Sequence, residues 1–361
     1  MEESVQVALG GSLTVPNVQE LAKQRLDQIP PRYIRTDQEP PLISADPSLP
    51  TIPVIDLQNL LNIRETRGSF STELERLRSA CVNWGFFQLI NHGISSVVIE
   101  KMKQEVGDFF ELPLEEKQRV SQHPNDAEGY GHTHITSHEQ KLNWADMLFV
   151  TTNPTSAKKP RIYDNLPDSL REAMEVYAAE LRAVAMTILE GLAEGLGMTV
   201  GEMRELFEDG YEGLRMNYYP PCPRPEVAIG SHAHSDTTGL TILLQVNQTN
   251  GLQVRHEGKW VPVKPLPDAF IVNIGDMLEI ISNGEYHSVE HRATVNMDDH
   301  RITVASFFNP KLAAEIGPAR SLIGPGKVPL FERITVEELF RDFFARLIKG
   351  KSFVESMRIK V

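Results

Sequence analysis

The chain has 361 residues, 49 acidic and 36 basic, and its formal net charge of −13 leaves no basic stripe for nucleic acid or an anionic membrane. Its two cysteines, Cys81 and Cys222, are too few for a disulfide framework and indicate buried thiols in a reducing compartment. Because the chain shows neither a membrane-length apolar run nor a signal or transit pattern, we expect a cytoplasmic protein. We also expect it to be a monomer.

The first half of the chain predicts helices around one short strand. Helices are expected at residues 18–29, 71–83 and 97–110. Between them, the proline-rich and acidic residues 30–53 predict an extended surface arm that leads into a strand at 53–57. A longer helical pattern covers residues 168–196, through Leu170, Met174, Tyr177, Leu181, Met186, Leu189 and Leu192. We expect that segment to form one long helix against which a barrel packs.

The second half of the chain predicts a β-rich core followed by a final helix. Apolar runs occur at residues 240–246, 252–254, 269–274, 288–295 and 302–307, separated by the turn signals Glu257-Gly258 and Asn283-Gly284. Near the C-terminus, Thr335 and Glu338 form a capping-box pattern ahead of an aromatic-rich helix, and Gly350 is its stop signal. That helix is expected to pack on the core.

Three metal-type donors lie in the β-rich region: His234 and Asp236, in the motif His234-Ser235-Asp236, and the later His291. Side chains two apart on an extended segment leave the same face, so His234 and Asp236 can converge on one ion. Two imidazoles and one carboxylate on one face of an octahedral ion leave three positions open, which is the arrangement that non-haem Fe(II) sites use. A polar surface turn is the alternative interpretation of the isolated motif.

A candidate anion site follows on the next apolar strand. Arg301 alternates there with Thr303 and Ala305 on one face. The rigid, planar guanidinium of arginine can donate hydrogen bonds to both oxygens of a carboxylate, and a neighbouring hydroxyl can donate a further one. Arg301 and Thr303 therefore suit the distal carboxylate of a dicarboxylate ligand, although an ordinary salt-bridged arginine would show the same pattern.

The chain resembles the plant 2-oxoglutarate/Fe(II)-dependent dioxygenases over nearly its whole length. The motifs that carry the resemblance are Ile52-Pro53-Val54-Ile55-Asp56-Leu57, Trp84-Gly85-Phe86-Phe87-Gln88-Leu89-Ile90-Asn91-His92-Gly93, Asn217-Tyr218-Tyr219-Pro220-Pro221-Cys222, the H-x-D motif, His291 and Arg301-Ile302-Thr303. Within that family it is similar to the branch with the norcoclaurine-synthase-1-like proteins, the senescence-related dioxygenases and the poppy alkaloid O-demethylases.

The resemblance implies a mainly β fold with α elaborations, in which a double-stranded β-helix (a jelly-roll, cupin-like core) is flanked by helices. We expect four segments: an arm and helix at 1–50, an α/β region at 51–205, the binding core at 206–310 and a helical cover at 311–361. Fe(II) is expected on His234, Asp236 and His291. The cosubstrate 2-oxoglutarate is expected on Arg301, Thr303, Asn217 and Tyr219. O₂ is the implied oxidant and ascorbate the implied reductant.

Two departures from the family pattern lie near this site. Thr303 stands where relatives usually carry serine, and it keeps the hydroxyl while adding a methyl group. His232 is an additional imidazole two residues before His234, which we expect not to be a ligand because the triad is already complete.

Substrate contacts are expected on Phe307, Met147 and Arg215, which occupy pocket-lining positions in the family, although a phenylalanine at a strand end is also typical of a core. The loop after Gly131 carries His132, His134 and His138. Three interpretations of those imidazoles stay open: a solvated loop, a hydrogen-bonding set in the pocket, with His132 and His134 as candidates, or an accidental metal site.

The implied activity is hydroxylation or O-demethylation of a small hydrophobic plant metabolite, an alkaloid or a phenolic, coupled to conversion of 2-oxoglutarate to succinate. Three alternatives stay open. One is a family member that oxidises a hormone or terpenoid by hydroxylation, desaturation or ring closure, and another is a non-oxidative condensing enzyme like the norcoclaurine synthase. The third is a binding or sensory protein, against which the complete triad and anchor argue.

Overall fold

The computed structural model describes residues 13, 15–24, 27–40, 49–65, 72–123, 126–132, 135, 137–345 and 352–360. Its helices are α1 (Val18–Lys23), α2 (Leu57–Glu65), α3 (Thr72–Asn83), α4 (Ser96–Glu111), α5 (Leu114–Gln118), α6 (Pro160–Tyr163), α7 (Asp168–Leu196), α8 (Val200–Phe207), α9 (Asp276–Ile281), α10 (Val336–Ala345) and α11 (Ser352–Ser356). Its strands are β1 (Val54–Asp56), β2 (Phe86–Ile90), β3 (Gly129–Gly131), β4 (Asp146–Asn153), β5 (Tyr211–Tyr219), β6 (Ser231–His234), β7 (Leu240–Gln245), β8 (Leu252–His256), β9 (Lys259–Pro262), β10 (Phe270–Ile274), β11 (His291–Ala293), β12 (Arg301–Asn309), β13 (Glu315–Ile316) and β14 (Ile334–Thr335). None of the described helices has the length and apolarity that crossing a membrane requires.

Two facing sheets form the centre of the molecule. The larger sheet has eight strands in the order β1-β2-β10-β7-β12-β5-β4-β3, and the smaller has four in the order β6-β11-β8-β9. Within them every pairing is antiparallel except that of β1 with β2. A cavity between the sheets is lined by residues of both. This architecture confirms the expectation of a β jelly-roll core flanked by helices.

The long helix α7 covers the outside of the larger sheet. It spans the predicted residues 168–196 and ends at Gly197, whose φ of 72° is the left-handed conformation that glycine adopts without strain. Its apolar stripe, which includes Leu170, Tyr177 and Leu181, is buried in the main core together with side chains of β7, β10 and β12. The helix therefore forms the rigid backing of the sheet that carries one wall of the cavity.

Several element boundaries differ from the sequence-based expectations. The first helix ends at Lys23, and residues 27–29 are not helical. Ile29 precedes Pro30, and a residue in that position avoids the helical conformation. Residues 25–26 of that prediction lie outside the described chain. The strand predicted at 288–295 is limited to β11, whose pairing with β6 is irregular between His291 and Ala293.

The arm predicted at 30–53 contains a short 3₁₀ helix at Pro31–Tyr33 and then runs beside β6 and β11. Arg292 donates hydrogen bonds to the carbonyl oxygens of Glu39 (2.6 Å) and Pro40 (3.1 Å). The amide of Ala233 donates to Gln38 Oε1 (3.3 Å). These contacts tie the arm to the two strands that carry the histidines, while residues 41–48 lie outside the described chain.

The C-terminal helix begins with the predicted capping box. The amide of Glu338 donates to Thr335 Oγ1 (3.2 Å), and the amide of Thr335 donates to Glu338 Oε2 (3.1 Å). Gly350, the predicted stop, lies outside the described residues. The expected division into four segments stays a prediction. Strand β2, which belongs to the proposed second segment, pairs with β10 of the proposed core, so these two segments share one sheet.

Candidate active site

The cavity between the sheets brings the three predicted metal donors together. His234 at the end of β6 lies directly opposite His291 at the start of β11. The Nε2 atoms of His234 and His291 are 3.6 Å and 3.7 Å from Asp236 Oδ1. Within the described part of the chain, these are the three side chains whose donor atoms all lie within 4.8 Å of one another. The spacing suits one metal ion bound by three protein atoms.

Backbone carbonyls set the orientation of both imidazoles. His234 Nδ1 lies 2.7 Å from the carbonyl oxygen of His232, and His291 Nδ1 lies 3.3 Å from that of Val289. A carbonyl oxygen accepts only, so each Nδ1 carries the proton and each Nε2 presents its lone pair. Both rings are therefore held in the tautomer that binds a metal through Nε2.

The carboxylate of Asp236 is held by two neighbours that the sequence-based reasoning missed. Thr241 Oγ1 (2.7 Å) and Asn273 Nδ2 (2.8 Å) both donate to its Oδ2. This leaves Oδ1 facing the two histidines. Asn273 had a visible signal, because it is the one polar residue in the apolar strand Phe270–Ile274.

The electrostatics of the site favour cation binding. Burial, with His291 adding to the effect, lowers the pKa of His234 to about 3. Burial opposes ionisation of Asp236, yet both histidines and the hydrogen bonds from Thr241 and Asn273 hold the pKa of that carboxyl below its usual value. At neutral pH His234 is therefore neutral and Asp236 ionised, which are the forms that bind a metal.

The strand register of the larger sheet arranges the opposite wall in rows. Residues paired directly across neighbouring strands point to the same face. Three such rows cross strands β7, β12, β5 and β4 in that order. The first row is Gln245, Thr303, Asn217 and Met147. The second row is Leu243, Ala305, Arg215 and Phe149, and the third is Thr241, Phe307, Gly213 and Thr151. The first row is thus mostly polar, whereas Phe149 and Phe307 lie in the second and third rows.

The predicted keto-acid residues meet at the polar end of this wall. Arg301, Thr303 and Asn217 are buried, and Asn217 Nδ2 donates to Thr303 Oγ1 (3.3 Å). The guanidinium carbon of Arg301 lies 5.3 Å from the ring centre of Tyr219. Arg301 Nε is buried without a hydrogen-bond partner, and no carboxylate lies within ion-pair distance of Arg301 among the described residues. A carboxylate ligand would supply the anion that this buried cation lacks.

Two of the predicted substrate residues line the cavity, and a third faces the same way. Arg215 and the half-buried Phe307 are part of the cavity wall. Met147 is buried on the same sheet face, opposite Asn217, but is not among the residues lining the cavity. Phe149, which the sequence-based reasoning missed, lies edge to face with Phe307, their ring centres 6.3 Å apart. Gly213 makes room for it, since a Cβ there would lie 2.8 Å from the Phe149 ring.

The other predicted histidines lie elsewhere. His132 is buried away from the cavity, where its Nε2 is 3.0 Å from the carbonyl oxygen of Pro16 and 3.6 Å from Asp146 Oδ1, and burial lowers its pKa. His138 is exposed, and His134 lies outside the described residues. The ring of His232 is 5.6 Å from that of His234, with its Nδ1 3.3 Å from Asn143 Oδ1. The structure therefore does not bring His132 together with the predicted substrate residues.

The fold and the cavity together define a jelly-roll protein with a His-Asp-His metal-type cluster beside a buried arginine. Residues 211–310 match the 2OG-Fe(II) oxygenase superfamily, and residues 52–169 match the N-terminal region described as non-haem dioxygenase in morphine synthesis. The chain belongs to the 2-oxoglutarate- and Fe(II)-dependent oxygenase superfamily.

Two relatives and one solved structure match almost the whole length of this chain. The oxoglutarate-dependent flavonoid 7-O-demethylase 1 of Ocimum basilicum is 53% identical over 98% of this chain and 93% of its own length. Codeine O-demethylase of Papaver somniferum is 45% identical over 99% of this chain and 100% of its own length. The crystal structure of JOX2 in complex with 2OG, Fe and JA superposes with a TM-score of 0.86, at 36% identity, over 97% of this chain and 100% of that one.

The residues in the cavity fit the groups that this family uses. The three donor atoms converge, both histidines present Nε2, and the buried Arg301 Nε has no hydrogen-bond partner in the described chain. The protein is a 2-oxoglutarate-dependent dioxygenase that uses Fe(II), as its resemblance to plant dioxygenases and alkaloid O-demethylases predicted.

Proposed function

We propose that this enzyme removes the O-methyl group from a small aromatic plant metabolite, with a methoxylated phenolic such as a flavone as the substrate class. The observation that carries the proposal is the pair Phe149 and Phe307, which lies on the same sheet face as the keto-acid residues, with Phe307 lining the cavity. Aromatic side chains at this distance offer edges and faces on which a flat ring can stack. The 53% identity to a flavonoid 7-O-demethylase supports the same class.

In this proposal His234, Asp236 and His291 hold the iron, because their three free donor atoms converge. Arg301 and Thr303 bind the distal carboxylate of 2-oxoglutarate, while Asn217 and Tyr219 contact its other end. The four side chains of the keto-acid set all lie on two paired strands, β5 and β12, where Arg301 lies opposite Tyr219 and Thr303 opposite Asn217. The pairing fixes these four side chains with respect to one another.

When bound, iron, 2-oxoglutarate and O₂ supply the oxidising chemistry, in which decarboxylation to succinate accompanies oxidation of a substrate C–H bond. For a methyl ether, hydroxylation of the methyl carbon gives a hemiacetal that releases formaldehyde and leaves a free hydroxyl group. The chain itself orients the reactants and excludes water. No protein acid or base is assigned, because the reaction does not require a proton transfer by a side chain.

A second candidate is hydroxylation of a small carboxylic acid. Arg215 favours it, because this residue lines the cavity and lies in the row of Phe149, between the rows of Thr303 and Phe307. Burial lowers the pKa of Arg215, an effect that Tyr219 and Asp236 partly oppose. The JOX2 structure, which contains JA, has the same fold. A substrate with an acidic group could pair with this guanidinium.

The remaining features of the proposal concern the conditions under which the enzyme works. We propose O₂ as the co-oxidant and ascorbate as the reductant that keeps the iron ferrous. We also propose a cytoplasmic monomer that acts on a small molecule. The net charge of −13 disfavours nucleic-acid and anionic-membrane partners.

The test is a panel of methoxylated flavones, the matching hydroxyflavones and small carboxylic acids, each incubated with enzyme, Fe(II), ascorbate and 2-oxoglutarate. Demethylated product should form together with equal amounts of formaldehyde and succinate, and hydroxyflavones should release no formaldehyde. An oxygen-containing product of an acid, with succinate but without formaldehyde, would support the second candidate. Product without any succinate would reject both oxidative proposals in favour of condensation.

A further inference from the structure

We propose that Gln245 and Gly251 are positioning residues for Arg301 and so determine how tightly the enzyme holds the distal carboxylate of 2-oxoglutarate. The inference deepens the proposed function and depends on the role of Arg301 given there. Neither residue belongs to the metal donors or to the keto-acid set. Gln245 is the last residue of β7 and Gly251 immediately precedes β8, and both lie against the side chain of Arg301.

The contact with Gln245 is direct. Arg301 Nη2 donates to Gln245 Oε1 (3.0 Å), and the two side chains lie on the same face of the larger sheet, on the paired strands β12 and β7. On the other side, the ring of Tyr219 lies below the guanidinium. The Nε atom remains buried with no hydrogen-bond partner in the described chain. Gln245 thus holds the Arg301 guanidinium through Nη2, and the Nε atom remains available to a ligand.

The orientation of the Gln245 amide is determined by its surroundings. Its Nε2 donates to two carbonyl oxygens, those of Asn247 (3.0 Å) and Thr249 (2.6 Å). Carbonyl oxygens only accept hydrogen bonds, so the amide nitrogen must face them and Oε1 must face Arg301. The loop is itself anchored, since Asn247 Nδ2 donates to the carbonyl oxygen of His300 (2.7 Å) and the amide of Ile302 donates to Asn247 Oδ1 (3.0 Å).

An amide serves this purpose better than a carboxylate would. A neutral acceptor orients the guanidinium without neutralising it, so the full positive charge remains available to a dicarboxylate ligand. Holding one rotamer of a long side chain in advance also reduces the entropy lost when the ligand binds. Gln245 therefore preorganises the anchor while leaving its charge unpaired.

Gly251 lies next to the aliphatic part of the Arg301 side chain. A Cβ atom at this position would lie 2.9 Å from Arg301 Cδ and 2.9 Å from the carbonyl oxygen of Thr294. Real Cβ atoms do not approach other atoms this closely, so any larger residue must displace either the arginine side chain or the adjacent backbone. Glycine at 251 thus allows Arg301 to take its observed position.

The test compares Gln245→Met with the unchanged enzyme. We expect the KM and the anaerobic Kd for 2-oxoglutarate to rise about tenfold, with kcat at saturating 2-oxoglutarate unchanged. Binding of 2-oxobutyrate, a keto acid without the distal carboxylate, should not change on the iron-loaded protein. Gly251→Ala should shift the same two constants in the same direction and provides a second variant should Gln245→Met fold poorly.

The controls separate this inference from the proposed function. Gln248→Ala changes an exposed side chain of the same loop and should leave 2-oxoglutarate binding unchanged. Arg301→Met should raise the KM for 2-oxoglutarate roughly a hundredfold. If Arg301→Met has no effect, the proposed anchor is wrong. If it has its effect while Gln245→Met and Gly251→Ala have none, or if Gln245→Met weakens 2-oxobutyrate equally, the positioning role is overturned.

Discussion

Two adjoining parts of the site are held in different ways: the predicted metal donors His234, Asp236 and His291, called the metal end, and the rings of Phe149 and Phe307, called the aromatic end. Thr241, which supports Asp236, is the cross-strand partner of Phe307. At the metal end each polar side-chain atom that does not face the other donors has a hydrogen-bond partner: Nδ1 of His234 and of His291 faces a carbonyl, and Oδ2 of Asp236 accepts two hydrogen bonds. At the aromatic end Phe149 and Phe307 are half-buried and meet through an edge-to-face contact.

This difference indicates which end can change without loss of the chemistry. Directional hydrogen bonds require particular atoms at particular distances, so a substitution at the metal end leaves a buried polar group unsatisfied. Apolar contacts have no such requirement, and a different side chain of similar size retains much of the packing. The metal end is therefore suited to a constant reaction and the aromatic end to variation in substrate.

The largest expected effect is at the metal donors. His234→Ala or Asp236→Ala should lower 2-oxoglutarate-dependent succinate formation by more than about a hundredfold, because the loss of a metal ligand exceeds the loss of a supporting contact. Iron content and succinate release of the purified variants provide the measurement, and circular dichroism checks the fold. Ser235→Ala, which changes the residue between the two donors, is the matched control and should retain activity. Full turnover by either donor variant would contradict the ligand assignment.

A smaller effect is expected from the supports of Asp236. Asn273→Leu removes one of the two donors to Oδ2 and should weaken Fe(II) binding by about tenfold or more, since such supporting contacts commonly contribute that much to metal affinity. Thr241→Val tests the other donor in the same way. Titration with Fe(II) under anaerobic conditions measures the change, and unaltered affinity in both variants would show that the two hydrogen bonds do not orient the carboxylate.

The smallest effect is expected at the aromatic end. Phe307→Leu or Phe149→Leu should raise the KM for an aromatic substrate by roughly two- to tenfold, which corresponds to an aromatic contact of about 0.5–1.5 kcal/mol. The KM for 2-oxoglutarate should stay constant, because neither ring belongs to the polar row. Steady-state kinetics with each reactant varied in turn provides the comparison, and an equal rise in both KM values would reject the separation of the two ends.

Local patterns in the sequence predicted the elements with the strongest repeats. Helix α7 matches its predicted bounds because its apolar spacing continues uninterrupted up to Gly197, and the capping box of α10 forms between neighbours in sequence. The first helix was predicted too long: its apolar spacing continues towards Ile29, whereas the helix ends at Lys23. Pro30 disfavours helix only at Ile29, so nothing local to the sequence marks the observed end. Patterns that depend on near neighbours can be interpreted without knowledge of the fold.

The sequence by itself determined the family and the candidate donor set, since His234, Asp236, His291 and Arg301 lie in short, specific motifs. Only the tertiary structure decided which side chains support them. Asn273 reaches Asp236, and Gln245 reaches Arg301, across strands that are far apart in the chain. The same holds for Phe149 beside Phe307. The reason is physical: a local motif reports which residues a chemistry needs, whereas strand register and sheet packing determine which distant residues come within hydrogen-bond or van der Waals reach.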